Sequence, residues 1–333
     1  MKIDALVQNR WKEVLNSEWY KRVFELYSQV QLNTAEFYSN KKMTPAMLPI
    51  TTESISSPMG LGSDSVPVRI NLMGQETYLA DSMQFLLEYT LRMTEKKGTY
   101  YIMPTFRGED SDERHLNQFF HSEVEILGGL EDIITLAEEY VKYLTNSILN
   151  TNILQKLKVS EEHIQEIKKT LNKKFPRVKF REAFNLLGNE CPEGREIDAD
   201  GLQYINKIGE QYLINKFDGV LWLTHFPHKT VPFYQGYSPE NESEALNADL
   251  LIGMGETLGL GERVNRTTVK RSLDEHLVDE KEYSWYIGMK RDFDIQTSGF
   301  GMGVERYLAW LTNNHDVRDF PVVYREKMVK MEI

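Results

Sequence analysis

The chain has 333 residues, of which 41% are hydrophobic and 27% are charged. This length predicts one large domain or two ordinary ones, and the composition excludes collagen-like, low-complexity and globally disordered chains. A single cysteine, Cys191, excludes an intramolecular disulfide framework and a cysteine-ligated zinc or iron-sulfur site. The net charge of −11 opposes non-specific binding to nucleic-acid backbones and to anionic membranes.

No uninterrupted run of about 18 apolar residues predicts a membrane span. The N-terminus, MKIDALVQNRWKEVL, lacks the apolar core of a signal peptide. We therefore expect a soluble, cytoplasmic protein without a membrane partner.

The first half of the chain predicts helices that alternate with short strands. Residues 4–39 have a helical pattern, a cluster of Ser, Thr, Gly and Pro follows within 51–67, and residues 81–97 are helical again. Two β-rich runs within 99–127 flank the polar stretch EDSDERH and predict a hairpin. An apolar face at helical spacing predicts an amphipathic helix over 130–149.

The second half adds a polar region and then further strands. Residues 150–200 include a charged helix that ends before Pro176, which indicates an insertion or a small helical subdomain. Three later runs, DGVLWLTHFP, ADLLIGMG and the residues before Gly299, predict strands, and MGVERYLAWLTNN predicts a helix. The fold class is therefore α+β, with strands that are mostly antiparallel.

The hairpin carries a first group of chemically active side chains: Phe106, Arg107, Glu109, Arg114, His115, Phe119, Glu123 and Glu125. Strand alternation places Phe119, His121, Glu123 and Glu125 on one face. A solvated strand face would account for this segment taken alone. A nucleoside triphosphate would account for it better, because guanidinium groups bind phosphate, an aromatic ring stacks on adenine, and carboxylates bind amino groups or magnesium.

Two further groups lie nearer the C-terminus. Asp249 and Glu256 flank a predicted strand run that is followed by a predicted turn at residues 259–261, and two converging carboxylates can hold the magnesium of a polyphosphate. At a strand-to-helix junction, the glycines of GFGMGVER allow close backbone approach, and Arg306 adds charge for an anion. Each signal is weak in isolation, and tight packing alone would explain the glycines.

In their order and spacing, these segments resemble class II aminoacyl-tRNA synthetases of the aspartyl and asparaginyl type. FRGEDSDERHLNQFFHSEVE resembles motif 2 of that class, and GFGMGVER resembles motif 3. The resemblance covers residues 45–325 and implies an antiparallel sheet flanked by helices. It divides the chain into an N-terminal helical segment, residues 1–45, and a catalytic domain, residues 46–330, with a helical insertion near 150–195.

The resemblance also assigns roles in binding ATP and Mg²⁺. Arg107 would hold the α-phosphate and Arg306 the γ-phosphate, which makes these two arginines the catalytic residues. The remaining nucleotide contacts would come from Glu109, Arg114, His115 and Phe119, with the phenyl ring under the adenine. The metal would lie on Asp249 and Glu256. The implied product is an acyl adenylate.

For the amino acid, the resemblance implies contacts from Ser82, Gln84, Glu88, Glu123 and Arg263. Glu88 and Glu123 follow the asparaginyl pattern, and Leu87 replaces an aspartyl-type lysine. Three residues depart from the family: Leu258 and Leu260 stand in place of pocket-floor glycines, and Asp81 stands in place of a substrate-contacting glutamine. We expect them to reshape the pocket.

The family enzymes read the anticodon with an N-terminal β-barrel, whereas the residues before position 45 look helical here. We therefore expect no tRNA partner. The resemblance favours an AMP-forming ligase, similar to asparagine synthetases of this type, that adenylates an aspartate-like carboxylate and passes it to ammonia or another amine. Three alternatives stay open: a tailoring enzyme that adenylates a peptide or a noncanonical amino acid, a non-catalytic regulator that binds an amino acid or an adenylate, and residual charging of tRNA. Class II cores dimerise through motif 1, whose best match is Ser57 and Pro58, so we expect a homodimer.

Overall fold

The structure is a computed structural model that describes residues 10–56 and 66–327. Its strands are β1 (Thr44–Pro45), β2 (Thr51–Thr52), β3 (Val68–Leu72), β4 (Gln75–Leu79), β5 (Gly98–Phe106), β6 (Gln118–Leu127), β7 (Arg177–Lys179), β8 (Arg195–Ile197), β9 (Gln203–Ile205), β10 (Val220–Thr224), β11 (Asn247–Ile252), β12 (Gly255–Glu262) and β13 (Thr297–Gly303). Its α-helices are α1 (Arg10–Asn16), α2 (Glu18–Asn40), α3 (Gln84–Leu91), α4 (Leu130–Leu149), α5 (Ile153–Lys156), α6 (Glu161–Leu171), α7 (Phe180–Glu190), α8 (Lys207–Lys216), α9 (Val269–Glu275), α10 (Ser284–Asp292) and α11 (Val304–Thr312).

Eight of these strands form one large sheet in the order β1-β5-β6-β13-β12-β11-β10-β7. The two outermost pairs, β1 with β5 and β7 with β10, are parallel, and every pair between them is antiparallel. Helices flank this sheet, so the predicted α+β fold with a mostly antiparallel sheet is confirmed. No helix in the described ranges, 10–56 and 66–327, is both long enough and apolar enough to cross a membrane.

Helix α4 illustrates how the local sequence predicts a helix. Its apolar residues, among them Ile133, Tyr140 and Leu144, are buried together, and its bounds agree with the predicted helix over 130–149. The carboxylate of Asp132 accepts a hydrogen bond from the backbone N–H of Gly129 at 2.9 Å, which satisfies a donor that the first helical turn leaves free. Helix α2 packs beside it, with Thr34 Oγ1 2.7 Å from the Tyr140 hydroxyl.

The sheet has two chemically different faces because side chains alternate along each strand. One face belongs to the main hydrophobic core, to which the central strands contribute Val124, Leu250, Leu258, Leu260 and Phe300. On the other face, the two central strands β12 and β13 carry Gly259, Gly261, Gly299 and Gly301, which pair across the ladder as Gly259 with Gly301 and Gly261 with Gly299. The second face is therefore backbone at its centre, and polar side chains from neighbouring strands lie over it.

The predicted turn at residues 259–261 is wrong. These residues lie inside β12. The chain reverses earlier, at Gly253 (φ +66°) and at Gly255 (φ +137°), the first residue of β12, where both glycines adopt a positive φ. The segment over 150–195 contains α5, α6 and α7, and it also contributes β7 to the edge of the large sheet.

The four paired glycines of β12 and β13, here called the glycine strip, provide a test of this packing. A Cβ atom on Gly299 would lie 2.5 Å from the carbonyl oxygen of Val124 and 2.6 Å from Nη2 of Arg263. Gly299→Ala should therefore lower the free energy of unfolding by about 1–3 kcal/mol, the usual cost of overpacking a filled interior. Urea unfolding of both proteins measures the difference.

Gly288→Ala on helix α10 is the matched control, because a Cβ there meets no atom within 4 Å. In a helix interior this change should be neutral or stabilise by up to about 1 kcal/mol. Equal unfolding midpoints for Gly299→Ala and wild type would contradict the packing described for the strip.

Candidate active site

Strand β6 places four alternate residues in a row on the glycine-bearing face of the sheet: Phe119, His121, Glu123 and Glu125. Glu123 lies opposite Tyr101 on β5 and Gly301 on β13, and Glu125 lies opposite Thr99 and Gly299. The predicted placement of this row on one face is confirmed. Because the β13 neighbours of the two glutamates are glycines, there is room for both carboxyl groups beside the backbone.

A cavity of about 300 Å³, here called the Phe119 cavity, lies at one end of this row. Arg107, His115, Phe119 and Arg306 line it, as the sequence predicts. The Arg107 guanidinium is 5.5 Å from the Phe119 ring centroid, and Nε of Arg107 has no hydrogen-bond partner among the residues described. Arg306, in the first turn of α11, is fixed by donating to the carbonyl oxygens of Arg114 (3.1 Å) and Glu256 (2.6 Å).

Two other predicted nucleotide contacts have protein partners. Arg114 also lines the Phe119 cavity, where its Nη2 is 2.5 Å from Oε2 of Glu210 on helix α8. Glu109 lines neither this cavity nor the second one, and its carboxylate accepts from the backbone N–H of Val66 at 3.2 Å. No local sequence signal pairs Glu210 with Arg114, because α8 lies far along the chain.

Glu305 also lines the Phe119 cavity; the sequence places it beside Arg306 at the strand-to-helix junction but assigns it no role. Its carboxylate accepts from the backbone N–H of Phe120 (3.1 Å) and from the hydroxyl of Tyr27 on helix α2 (2.9 Å). Burial raises the pKa of Glu305 to about 7. Helix α2 is therefore joined directly to the wall of this cavity.

A second cavity of about 410 Å³, here called the Ser82 cavity, lies beside the first. Of the five residues predicted to bind the amino acid, four line it: Ser82, Gln84, Glu123 and Arg263. Ser82 Oγ lies 2.7 and 2.9 Å from the two Glu123 oxygens. With its amide oxygen turned toward Arg263, Gln84 accepts from Nη2 at 2.6 Å. The two cavities share Arg107, His121, Glu256 and Gly301.

The fifth residue, Glu88, lies behind the wall and lines neither cavity. Its carboxylate is 2.5 Å from Nζ of Lys290 and accepts from the Tyr286 hydroxyl at 2.6 Å. Beside it, Arg263 forms a two-pronged ion pair with Glu125, at 3.0 Å from Nε and 2.8 Å from Nη2. The buried position of Glu88 assigns it to a supporting network, which the sequence pattern did not distinguish from a direct contact.

Burial controls ionisation in the row on β6. Desolvation raises the pKa of Glu123 to about 8, since the hydrogen bond from Ser82 only partly offsets it. Desolvation and the charges of Arg107 and Arg306 lower the pKa of His121 to about 3. Near pH 7 the His121 ring is therefore neutral, and Glu123 is largely protonated.

The two predicted metal ligands converge. A Cβ atom placed on Gly259 would lie 2.9 Å from Oε1 of Glu256 and 3.5 Å from Oδ1 of Asp249, so both carboxylates lie over this glycine. Both residues line the Ser82 cavity, and Glu256 lines the Phe119 cavity as well. Throughout the described part of the chain there is no group of three or more His, Cys, Asp or Glu side chains that could hold a metal. Two carboxylates fit Mg²⁺, which keeps water and phosphate oxygens as its other ligands.

The expectation that Leu258 and Leu260 reshape the pocket is wrong. Leu260 borders the Ser82 cavity, but both leucine side chains pack in the main hydrophobic core on the opposite face of the sheet. Asp81, the third departure, does lie in the cavity wall, where it accepts from the backbone N–H (3.0 Å) and hydroxyl (2.9 Å) of Ser56. Ser57 and Pro58, the proposed motif 1 residues, lie outside the described residues.

Comparison with known proteins agrees with this geometry. Residues 2–323 match the family model described as tRNA synthetases class II (D, K and N). The chain belongs to this class II tRNA synthetase family.

Among relatives of the chain, an asparagine-tRNA ligase of Thermoplasma acidophilum is 28% identical over a 330-position alignment that covers 95% of this chain and 71% of the relative. The asparaginyl-tRNA synthetase of Pyrococcus horikoshii, solved with asparaginyl-adenylate, superposes with a TM-score of 0.87 at 22% identity, covering 99% of this chain and 74% of the other. The Entamoeba histolytica enzyme, also solved with asparaginyl-adenylate, gives a TM-score of 0.81 at 20% identity, with 99% and 73% covered. These superpositions show that the fold is shared.

The ionisation of Glu123 predicts how stability depends on pH. The folded protein holds this proton more tightly than the unfolded chain, whose glutamates have pKa values near 4.5, so the stabilising contribution is complete below pH 4.5 and is lost as the pH rises through 8. The free energy of unfolding of wild type should fall by about 4 kcal/mol more than that of Glu123→Gln between pH 4.5 and 8. Urea unfolding at a series of pH values measures both slopes.

Glu162→Gln, at an exposed position of α6, is the control and should keep the wild-type slope. Part of the slope should survive in Glu123→Gln because burial also raises the pKa values of Glu125 and Glu305. Parallel slopes for wild type and Glu123→Gln would show that Glu123 is ionised in the folded protein at neutral pH.

Proposed function

We propose that this protein is an ATP-dependent, AMP-forming ligase that activates an aspartate-like carboxylate and transfers the acyl group to a nitrogen nucleophile such as ammonia. The observation that carries this proposal is the meeting of the two cavities at Arg107. A triphosphate in the Phe119 cavity and an amino acid in the Ser82 cavity would bring an α-phosphate and a carboxylate to the same guanidinium group. The arrangement favours reaction between the two ligands.

In the first half-reaction, a carboxylate oxygen of the acid attacks the α-phosphorus of ATP, and the bond to the bridging oxygen breaks to release pyrophosphate. Arg107 would stabilise charge on the α-phosphate, and Arg306 charge on the γ-phosphate. Fixed cations of this kind lower the barrier because they need no reorganisation as charge develops. Magnesium on Asp249 and Glu256 would neutralise part of the phosphate charge.

In the second half-reaction, a nitrogen lone pair attacks the acyl carbon, a C–N bond forms, and the bond from the acyl carbon to the adenylate oxygen breaks to release AMP. Ser82, Gln84 and Arg263 support an amino acid with a short polar side chain, because they present hydroxyl, amide and guanidinium groups to one small cavity. Asp81 adds a buried carboxylate to its wall, which would bind the amino group of the substrate.

The structure changes the support for the alternative functions. A peptide or noncanonical substrate loses the support of Leu258 and Leu260, whose side chains are in the core, and rests on Asp81 alone. A purely regulatory binding protein would have little use for two converging carboxylates beside two phosphate-binding arginines. The relative named as an asparagine-tRNA ligase favours a second candidate function, in which asparagine is activated and passed to tRNA.

Pyrophosphate exchange tests the first half-reaction. Wild type should exchange labelled pyrophosphate into ATP when aspartate or asparagine is present, and Arg107→Gln should slow this exchange by about 100- to 1,000-fold, as expected for loss of a transition-state charge partner. Arg181→Gln removes an exposed arginine of α7 and should leave the rate unchanged. The proposal fails if wild type catalyses no exchange with aspartate, asparagine or an aspartate-containing peptide.

A product assay distinguishes ammonia from tRNA as the acceptor of the acyl group. With ATP, magnesium and aspartate, addition of ¹⁵N-ammonium should give AMP and ¹⁵N-labelled amide in equal amounts, measured by mass spectrometry. Addition of tRNA with asparagine, and without ammonium, should give no acylated tRNA. Acylated tRNA without labelled amide would reject ammonia transfer and establish the second candidate function.

A further inference from the structure

His121 lies where the two cavities meet, and the mechanism above gives it no role. Of the four residues common to both cavities, Arg107 is assigned to phosphate, Glu256 to the metal, and Gly301 has no side chain. His121 is the remaining one. It occupies the position on β6 between Phe119, in the wall of one cavity, and Glu123, in the wall of the other.

The packing holds the His121 ring in place but leaves one of its nitrogens without a hydrogen-bond partner among the described residues. The Phe119 ring meets it edge-on, with centroids 4.8 Å apart and planes at 86°. Nδ1 lies 2.9 Å from Oε1 of Glu123, but the two groups are not aligned for a hydrogen bond, and this buried nitrogen has no partner among the residues that the structure describes. A buried polar atom without a partner is costly unless a ligand or water meets it.

The charges around the ring keep a lone pair available. Burial, together with the positive charges of Arg107 and Arg306, holds the imidazole in its neutral form. Both arginines line the Phe119 cavity, and the α-phosphate of a bound adenylate would offset the charge of Arg107, which makes the ring a better proton acceptor than it is in the empty site. The ring is thus unprotonated before the nucleophile arrives and more basic with the adenylate bound than without a ligand.

We propose that His121 is a catalytic residue, the general base that accepts the proton lost by the nitrogen nucleophile. This inference rests on the proposed function. As the nitrogen of ammonia attacks the acyl carbon, the C–N bond forms and one N–H proton passes to the imidazole; the bond from the acyl carbon to the adenylate oxygen then breaks, and AMP leaves with that electron pair. The imidazolium returns its proton to solvent, so the products are the amide, AMP and one proton.

Neighbouring acids are less suited to this step. Glu123 is engaged by the Ser82 hydroxyl and by the hydroxyl of Tyr101, and its raised pKa keeps it largely protonated. Asp81 accepts two hydrogen bonds from Ser56. Asp249 and Glu256 would be covered by the metal. Among the residues that the structure describes at this junction, His121 is the base whose Nδ1 neither a protein hydrogen bond nor a proposed metal engages.

Comparing the two half-reactions in His121 variants tests this assignment. His121→Gln should keep pyrophosphate exchange within about threefold of wild type, while kcat for amide formation from ammonium chloride falls about 100-fold, since general-base catalysis contributes about 100- to 10,000-fold. The KM for ammonia should change little. His315→Gln, which replaces an exposed histidine, should match wild type in both reactions.

Chemical rescue provides a readout that a structural role would not give. In His121→Ala, added imidazole should restore amide formation in proportion to its concentration and leave exchange unchanged. Unaltered amide formation in His121→Gln, or an equal fall in both half-reactions without imidazole rescue, would overturn the inference while leaving the proposed function intact. Absence of exchange in wild type would instead overturn the proposed function, and this inference with it.

Discussion

The site depends on one constraint: at the centre of the sheet, two adjacent strands present only backbone to one face. Gly259 and Gly261 on β12 pair with Gly301 and Gly299 on β13, and at Gly261 and Gly299 even a single methyl group would collide with polar atoms already in place. Because the opposite face of the same strands carries large apolar side chains, the sheet is anchored in the core while its other face stays open. The Ser82 cavity and the buried row on β6 both occupy the space that this alternation leaves.

Buried charge fills part of that space at an energetic cost. Arg263 with Glu125 and Lys290 with Glu88 are ion pairs whose side chains are almost fully excluded from solvent. Desolvation cancels much of their mutual attraction, so such pairs add little net stability. Removing one partner nevertheless leaves the other charge buried and unpaired, which costs several kcal/mol. The physical benefit is geometric: Arg263 is locked in the wall of the Ser82 cavity by Glu125, with Gln84 as a further partner. A rigid guanidinium can select a ligand by position as well as by charge.

The sequence predicted features that depend on neighbouring residues. Helix α4, the β5–β6 hairpin, the shared face of the β6 row and the strand-to-helix junction before Arg306 all follow from local periodicity, and the motif resemblance brought most of the site residues together. It did not predict contacts between distant segments, such as Arg114 with Glu210 or Tyr27 with Glu305, because no local pattern encodes them. The expectation for Leu258 and Leu260 came from the resemblance, which places them where the family has pocket-floor glycines. The resemblance does not show which face of β12 each side chain meets; strand alternation decides that, and both side chains pack in the core.

Although the chain carries a net charge of −11, the arginines in the wall of the Phe119 cavity provide local positive charge. Arg114 already has a carboxylate partner in Glu210, whereas Nε of Arg107 is buried without a hydrogen bond among the described residues. A triphosphate that used Arg114 would first have to displace Glu210, and part of its binding energy would be spent on that exchange. At Arg107 a phosphate would meet the Nε donor, which has no hydrogen-bond partner to displace among the described residues. The cavity is therefore best prepared for negative charge at the point where it adjoins the Ser82 cavity, which is where the proposed reaction places the α-phosphate.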